Sequence, residues 1–324
     1  KRTLIHKIIN LITKNDNNKS LLIHSFLAFT SRIFAAFVAF ILTVFVSKIT
    51  DQKDTGNFFI AYGLFNVLAI LGSFGLHILL LKKVSQYSDF DTKRRNISNS
   101  LIIASIFSFT IALLLSSNSR FIATFIFSKK ELDVYLFYFF LAFPFQVVII
   151  LISNILQAEK RTILSISVLK IFIPSIVIII AFTTGVENGS LLSKIYLLST
   201  FTTALLSLFS IRKMLTFSSI SFSELNCLLI EAKHFFIITI FQQISVWSGH
   251  FISSVMLTSE DVAILSVCRN TTMLMGFILL AINFVSAPTF SKLYNESRII
   301  ELKKYVKFTN KILFVVGAPI FLLI

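Results

Sequence analysis

LLIHSFLAFTSRIFAAFVAFILTVFVSKITDQKDTG, residues 21–56, joins an apolar run of membrane-spanning length to a short acidic turn. A helix crossing a hydrocarbon core of roughly 30 Å needs about 20 mainly apolar residues. The run 21–47 supplies them around a single charge, Arg32. The turn Thr50-Asp51-Gln52-Lys53-Asp54-Thr55-Gly56 then hands the chain to a second apolar run.

Extended along the chain, the same reading gives nine spans: 21–47, 57–81, 97–117, 134–157, 162–183, 191–211, 234–257, 262–287 and 308–324. The expected fold class is all-α, a polytopic transmembrane helix bundle. Composition agrees. Hydrophobic residues make up 56% of the chain and charged residues only 14%, against about 25% charged in a soluble domain. Charge this sparse cannot coat a globular surface. The net charge of +15 would elsewhere point to a nucleic-acid binder. Here the basic residues fall between apolar runs rather than along one face, so membrane lipids are the expected partners and nucleic acid is not. The basic segment before Leu21 mimics the start of a signal peptide, but no small-residue cleavage site follows and eight further spans do. The first span is therefore read as retained. The last span stops at Ile324 with no tail after it, so a truncated sequence is expected.

Lysines and arginines in the loops orient the helices. With a cytoplasmic N-terminus, the inner segments hold twenty-one of them, including Lys82, Lys83, Lys93, Arg94 and Arg95. The outer segments hold five: Lys48, Lys53, Arg120, Lys129 and Lys130. The longer linkers 82–96, 212–233 and 288–307 are basic and are expected to lie along the anionic inner leaflet. Cys227 and Cys268 then fall on opposite sides, and no disulfide is expected; no Cys/His spacing suits a metal, and no cofactor is expected.

The opening hairpin recurs. Its acidic turn finds a counterpart in Thr258-Ser259-Glu260-Asp261-Val262-Ala263, and each copy ends basic, at Lys82 and at Lys292. The copies are offset by six helices, an even number, so both have the same orientation and the repeat is parallel, about an axis along the membrane normal. The plainer reading is that any two helical hairpins look alike.

The chemistry within the spans is cationic. All carboxylates fall in loops or at helix ends, whereas Arg32, Lys170, Lys194 and Arg269 lie inside spans. Counted from Leu21, Arg32 is about 16 Å along its helix, near the middle of the core. There an arginine costs about 2.5–3.5 kcal/mol on insertion scales. It therefore needs water, backbone carbonyls or an anionic ligand. Two readings stand for Arg32, Lys170 and Arg269: a cationic, water-filled cavity, or snorkelling combined with ordinary packing. Polar residues at helical spacing extend the first reading: Gln146 and Asn154 on one span, Gln242 with Ser245 and Gly249 on another, and Asn283 on the span of Arg269. His77 and His250 read as packed or interfacial residues more readily than as proton relays. Pro144 and Pro174 are expected to kink their helices. No catalytic constellation appears, and the chain is not expected to be an enzyme.

Local phrases carry a family resemblance. They are Phe45-Val46-Ser47-Lys48-Ile49 with Thr55-Gly56-Asn57-Phe58-Phe59, then Gly72-Ser73-Phe74-Gly75-Leu76 with Lys82-Lys83-Val84-Ser85. Further on come Leu156-Gln157-Ala158-Glu159-Lys160-Arg161 and Ala287-Pro288-Thr289-Phe290-Ser291-Lys292-Leu293-Tyr294. In order and spacing they resemble the bacterial flippases for lipid-linked oligosaccharides, the polysaccharide-transporter branch of the MOP exporter superfamily. The resemblance implies two pseudo-symmetric lobes of the MATE-like type: a six-helix lobe over 1–215 and an incomplete second lobe over 216–324. It implies translocation of an undecaprenyl-diphosphate-linked oligosaccharide from the inner to the outer leaflet of the bacterial cytoplasmic membrane, serving O-antigen or capsule synthesis. Arg32 and Arg269 sit on the helices where related lipid II flippases carry cavity arginines. Glycosyltransferases and a glycan polymerase would be partners. Two alternatives remain: a MATE-like drug exporter, disfavoured by a positive cavity with no acid at midspan, and a membrane enzyme of glycan assembly, disfavoured by short outer loops.

Overall fold

Lipid offers backbone groups no water, so a spanning chain must satisfy them internally, and helices do so within one segment. The computed structural model describes residues 16–86, 89–186, 188–216 and 222–323, and every regular element among them is helical. The principal helices are α1 (Asp16–Ile49), α2 (Gln52–Gly72), α3 (Leu76–Gln86), α4 (Phe90–Ser117) and α5 (Leu132–Ala158). They continue as α6 (Thr162–Thr184), then α7 (Gly189–Ser210), α8 (Phe222–Met256), α9 (Ser259–Asn295) and α10 (Ile299–Leu323). Each expected span falls on these helices, the last as far as Leu323. Over the described residues α1, α2 and α4–α8 are long and apolar enough to cross a membrane. Residues through Ile264 form one compact unit and Leu265–Ile324 a second.

The expected span 57–81 is not one helix. It breaks at Ser73-Phe74-Gly75, where Phe74 and Gly75 take φ of 49° and 74°, a region glycine enters at little cost. Contact explains the break. A Cβ on Gly75 would lie 2.6 Å from the Phe236 nitrogen and 2.7 Å from the Ala232 oxygen. The chain bends there because its backbone rests directly on α8.

Within the first unit, α5 is the central post, contacted by α2, α3, α4 and α7. Phe139, Phe140, Phe143 and Val147 are at most 1% exposed. Phe139 packs edge-on against Phe58 at 5.3 Å and lies 4.9 Å from the Tyr196 ring, tying α2 and α7 to the post. Such offset and edge contacts add to burial. On the other side α5 meets α6 through a buried pair of serines. The Ser153 and Ser165 hydroxyls are 2.9 Å apart, and Ser165 Oγ donates to the Ser153 carbonyl at 2.7 Å.

The kink expected from Pro174 takes a specific form. Proline has no N–H for the carbonyl four residues back and its ring crowds that carbonyl, here that of Lys170. The helix answers just before it with a π-turn over Ser167–Ile171, in which the Phe172 N–H reaches the Ser167 carbonyl. Pro144, by contrast, sits inside the continuous helix α5.

Several cations of the basic linkers have protein partners. Lys83 pairs with Glu231 at 2.7 Å, Lys93 pairs with Glu159, and Arg94 Nη2 donates to the Leu215 carbonyl at 2.7 Å. These cations fasten α3 and α4 to their neighbours. Cys227 and Cys268 are free and exposed.

Candidate functional site

Arg32 and Lys170 lie on helices that pack together, since α1 runs against α6 and its π-turn. From Ile49 back to Arg32 is about 25 Å along a helix, and from Thr184 back to Lys170 about 21 Å. The two cations therefore share a level. α1 itself continues back to Asp16, five residues before Leu21. Both side chains are exposed, and among the described residues neither makes a hydrogen bond or ion pair. The carbonyl released by Pro174 belongs to Lys170 itself, so an irregular backbone and an unpaired ammonium coincide. π-turns of this kind occur frequently at functional sites.

The other candidates divide. Asn154 is half-buried and donates to the Ile150 carbonyl at 2.8 Å. Gln146 is 6% exposed within the packed post, and its Oε1 has no partner; in this conformation it lines no open surface. Gln242, Ser245 and Gly249 do share an exposed face of α8. The next residue, Gln243, is by contrast buried, 7% exposed with an unpartnered Oε1. It belongs to a seam with Leu228, Ala232, Thr239 and Ser254, all at helical spacing, and this signal could have been found by asking which face of α8 repeats small and polar residues. Arg269, in the second unit, is half-buried and engaged by a neighbour. Asn283 is helical in α9, but its side chain lies outside the described residues. Lys194, exposed near the start of α7, borders an apolar groove with Phe145, Leu198 and Phe201.

The α8 seam meets α2 closely. A Cβ on Gly63 would come within 2.5 Å of the His250 ring, and His250 Nε2 lies 3.1 Å from the Phe59 carbonyl. His250 thus fills the notch that glycine leaves. The seam ends where the two turns read as copies of one another meet. Gln52 Nε2 donates to the Glu260 carbonyl at 3.4 Å, and Ser259 Oγ to Asn57 Oδ1 at 2.7 Å. A Cβ on Gly56 would fall 1.7 Å from the Ser259 oxygen. The start of α9 is fixed by Thr258, whose Oγ1 receives the Asp261 N–H at 3.2 Å and donates to the Asp261 carboxylate at 2.8 Å, a reciprocal cap.

This arrangement of helices is shared with solved transporters of the MOP superfamily. A MATE-family multidrug resistance transporter in an outward-facing conformation has a TM-score of 0.59 at 15% identity, over 90% of this chain and 69% of its own. A MOP-superfamily transporter from Pyrococcus furiosus, whose binding pocket is described as of reverse polarity, has a TM-score of 0.58 at 17% identity, over 91% of this chain and 68% of its own. The MATE multidrug transporter DinF-BH gives 0.58 at 16%, over 94% and 71%. At these identities the likeness concerns the fold. The chain itself belongs to the polysaccharide biosynthesis protein family, whose model matches residues 21–294. A search of curated proteins gave no match.

Proposed function

We propose that this protein is a flippase that carries an undecaprenyl-diphosphate-linked oligosaccharide from the inner to the outer leaflet by alternating access, for O-antigen or capsule synthesis. Family membership and the MOP fold support a membrane transporter in polysaccharide assembly. One observation carries the anionic cargo: Arg32 and Lys170, two unpaired cations at one level on packed helices. An intramembrane cation without a partner is a functional site by default, and a diphosphate is the partner that both would accept. Guanidinium binds phosphate in a bidentate fork and ammonium as a point charge. Asn154 and the exposed face of Gln242 would offer hydrogen bonds to sugars. The protein would lie in the bacterial cytoplasmic membrane with its N-terminus inside, receiving cargo from glycosyltransferases and delivering it to a polymerase.

The test is translocation of a lipid-linked oligosaccharide in proteoliposomes. Arg32→Ala should slow it about tenfold or more, the loss of one charged hydrogen bond, and Arg32→Lys should slow it less. Unchanged translocation in Arg32→Ala at equal protein level would overturn the role given to Arg32. Export of cationic drugs without glycan translocation would replace the reading by that of a MATE-like exporter.

A further inference from the structure

At the end of the molecule where α1 turns into α2, a cavity of about 460 Å³ lies between three segments: the start of α2, residues 127–131, and the turn from α8 to α9. Small-ligand sites run from about 300 to 1,000 Å³. The lining combines Lys53, Asn57, Lys130, Glu131 and Glu260 with apolar Phe127, Val255, Met256 and Leu257.

Much of the polar chemistry here is already committed. Lys129 donates to the Ser254 and Leu257 carbonyls at 2.7 and 2.8 Å, closing the C-terminal end of α8, and burial pushes its ammonium below the usual lysine value. Lys53 holds Glu131 at 2.7 Å. Three groups remain. Asn57 is 1% exposed, and with its Oδ1 committed to Ser259 its Nδ2 has no acceptor. A buried donor without an acceptor carries a desolvation cost, which a ligand oxygen would remove. Among the described residues, the Lys130 ammonium and the Glu260 carboxylate make no hydrogen bond.

The set of groups selects the ligand. A bare anion would face Glu131 and Glu260, and a bare cation would face three lysines. A hydroxyl group both donates and accepts, so adjacent hydroxyls of one sugar ring can accept from Asn57 Nδ2 and Lys130 and donate to Glu260. The C–H faces of the ring then lie on Met256 and Leu257. We propose that this cavity is a saccharide-binding site, separate from the level of Arg32 and Lys170. Only the source of the sugar rests on the flippase reading: the head of a transported lipid or a free glycan.

The experiment uses the full chain in lipid nanodiscs and saturation-transfer NMR. The probes are a panel of free neutral, amino and uronic-acid disaccharides, a lipid-linked disaccharide in the nanodisc, and inorganic phosphate. At least one saccharide should give transfer, and Glu260→Gln and Lys130→Ala should each weaken it about fivefold, one hydrogen bond apiece. Both positions lie at the cavity surface, so the variants keep the fold; Asn57→Ala, which also frees Ser259, should abolish the signal. Response to the free sugars identifies a free-glycan site, and response to the lipid-linked sugar alone identifies the cargo head. Absence of transfer from every saccharide, equal binding by both surface variants, or binding of phosphate alone would overturn the proposal. Loss of disaccharide binding with translocation intact separates this site from the flippase reading, and unaltered translocation in Arg32→Ala would sink that reading without touching this one.

Discussion

Helices α5 and α6 follow one another in the chain, each contains a proline, and their apolar 18-residue stretches have similar mean hydropathy, 2.3 and 2.6, yet 78% of that stretch is buried in protein in α5 and only 22% in α6. One is the post of the lobe and the other lies at its margin. Polar groups follow that division: α5 encloses Gln146 and Ser153, while α6 presents Lys170 beside a π-turn. The difference teaches that apolarity in a membrane chain reports the solvent and leaves the neighbours open. Lipid tails are as apolar as leucine, so a helix surrounded by protein and one surrounded by lipid look alike.

The comparison breaks most visibly under truncation of aromatics. Phe143→Ala in α5 should destabilise the fold by about 3–5 kcal/mol, since packed neighbours leave a cavity that lipid cannot fill. Phe182→Ala in α6, where the side chain is 78% exposed, should stay within about 0.5 kcal/mol. Thermal unfolding of both variants in nanodiscs checks this, and equal losses would erase the distinction between post and margin. Next in size is Pro174→Ala. It restores the donor for the Lys170 carbonyl, so it should stabilise α6 by up to about 3 kcal/mol while lowering translocation. Hydrogen exchange at Phe172 together with the transport assay reads both effects, and greater stability with full transport would make the π-turn incidental. The serine link between the two helices is worth less, about 0.6 kcal/mol by the average of such bonds in membranes. A double-mutant cycle of Ser153→Ala and Ser165→Ala measures it.

The smallest effect lies outside both helices, at the start of α4, which flanks the post. The Thr92 hydroxyl and N–H donate to Asp89 and hold its carboxyl below the ordinary value of 3.8. A carboxylate depressed on folding contributes above its unfolded pKa and loses that contribution as pH falls through the lower folded value. Amide exchange in the first turn of α4 should rise only below pH 3.8, and Asp89→Asn should remove that step.

That the chain is a series of membrane-length helices was legible because twenty-residue apolar runs leave few other options. The break at Ser73-Phe74-Gly75 was harder to see: its cause is the approach of the Ala232 and Phe236 backbones, a contact distant in sequence. That Gln243 is enclosed while Gln242 stays exposed was hidden for a related reason. Adjacent residues on α8 differ in what faces them, and apolar periodicity gives no direction when both surroundings are apolar. Lys170 was visible as a charge within a span and Pro174 as a kink; that the second frees the carbonyl of the first follows from a spacing of four residues, which the sequence displays openly. The start of α1 at Asp16 rather than Leu21 was hidden, because the stretch preceding Leu21 is basic and polar.

The approach of Gly56 to Ser259 makes position 56 a place for a wedge. No side chain fits there while the two backbones touch, so Gly56→Ala holds them apart, and one methyl group becomes a way to keep this end of the protein open without touching any polar residue.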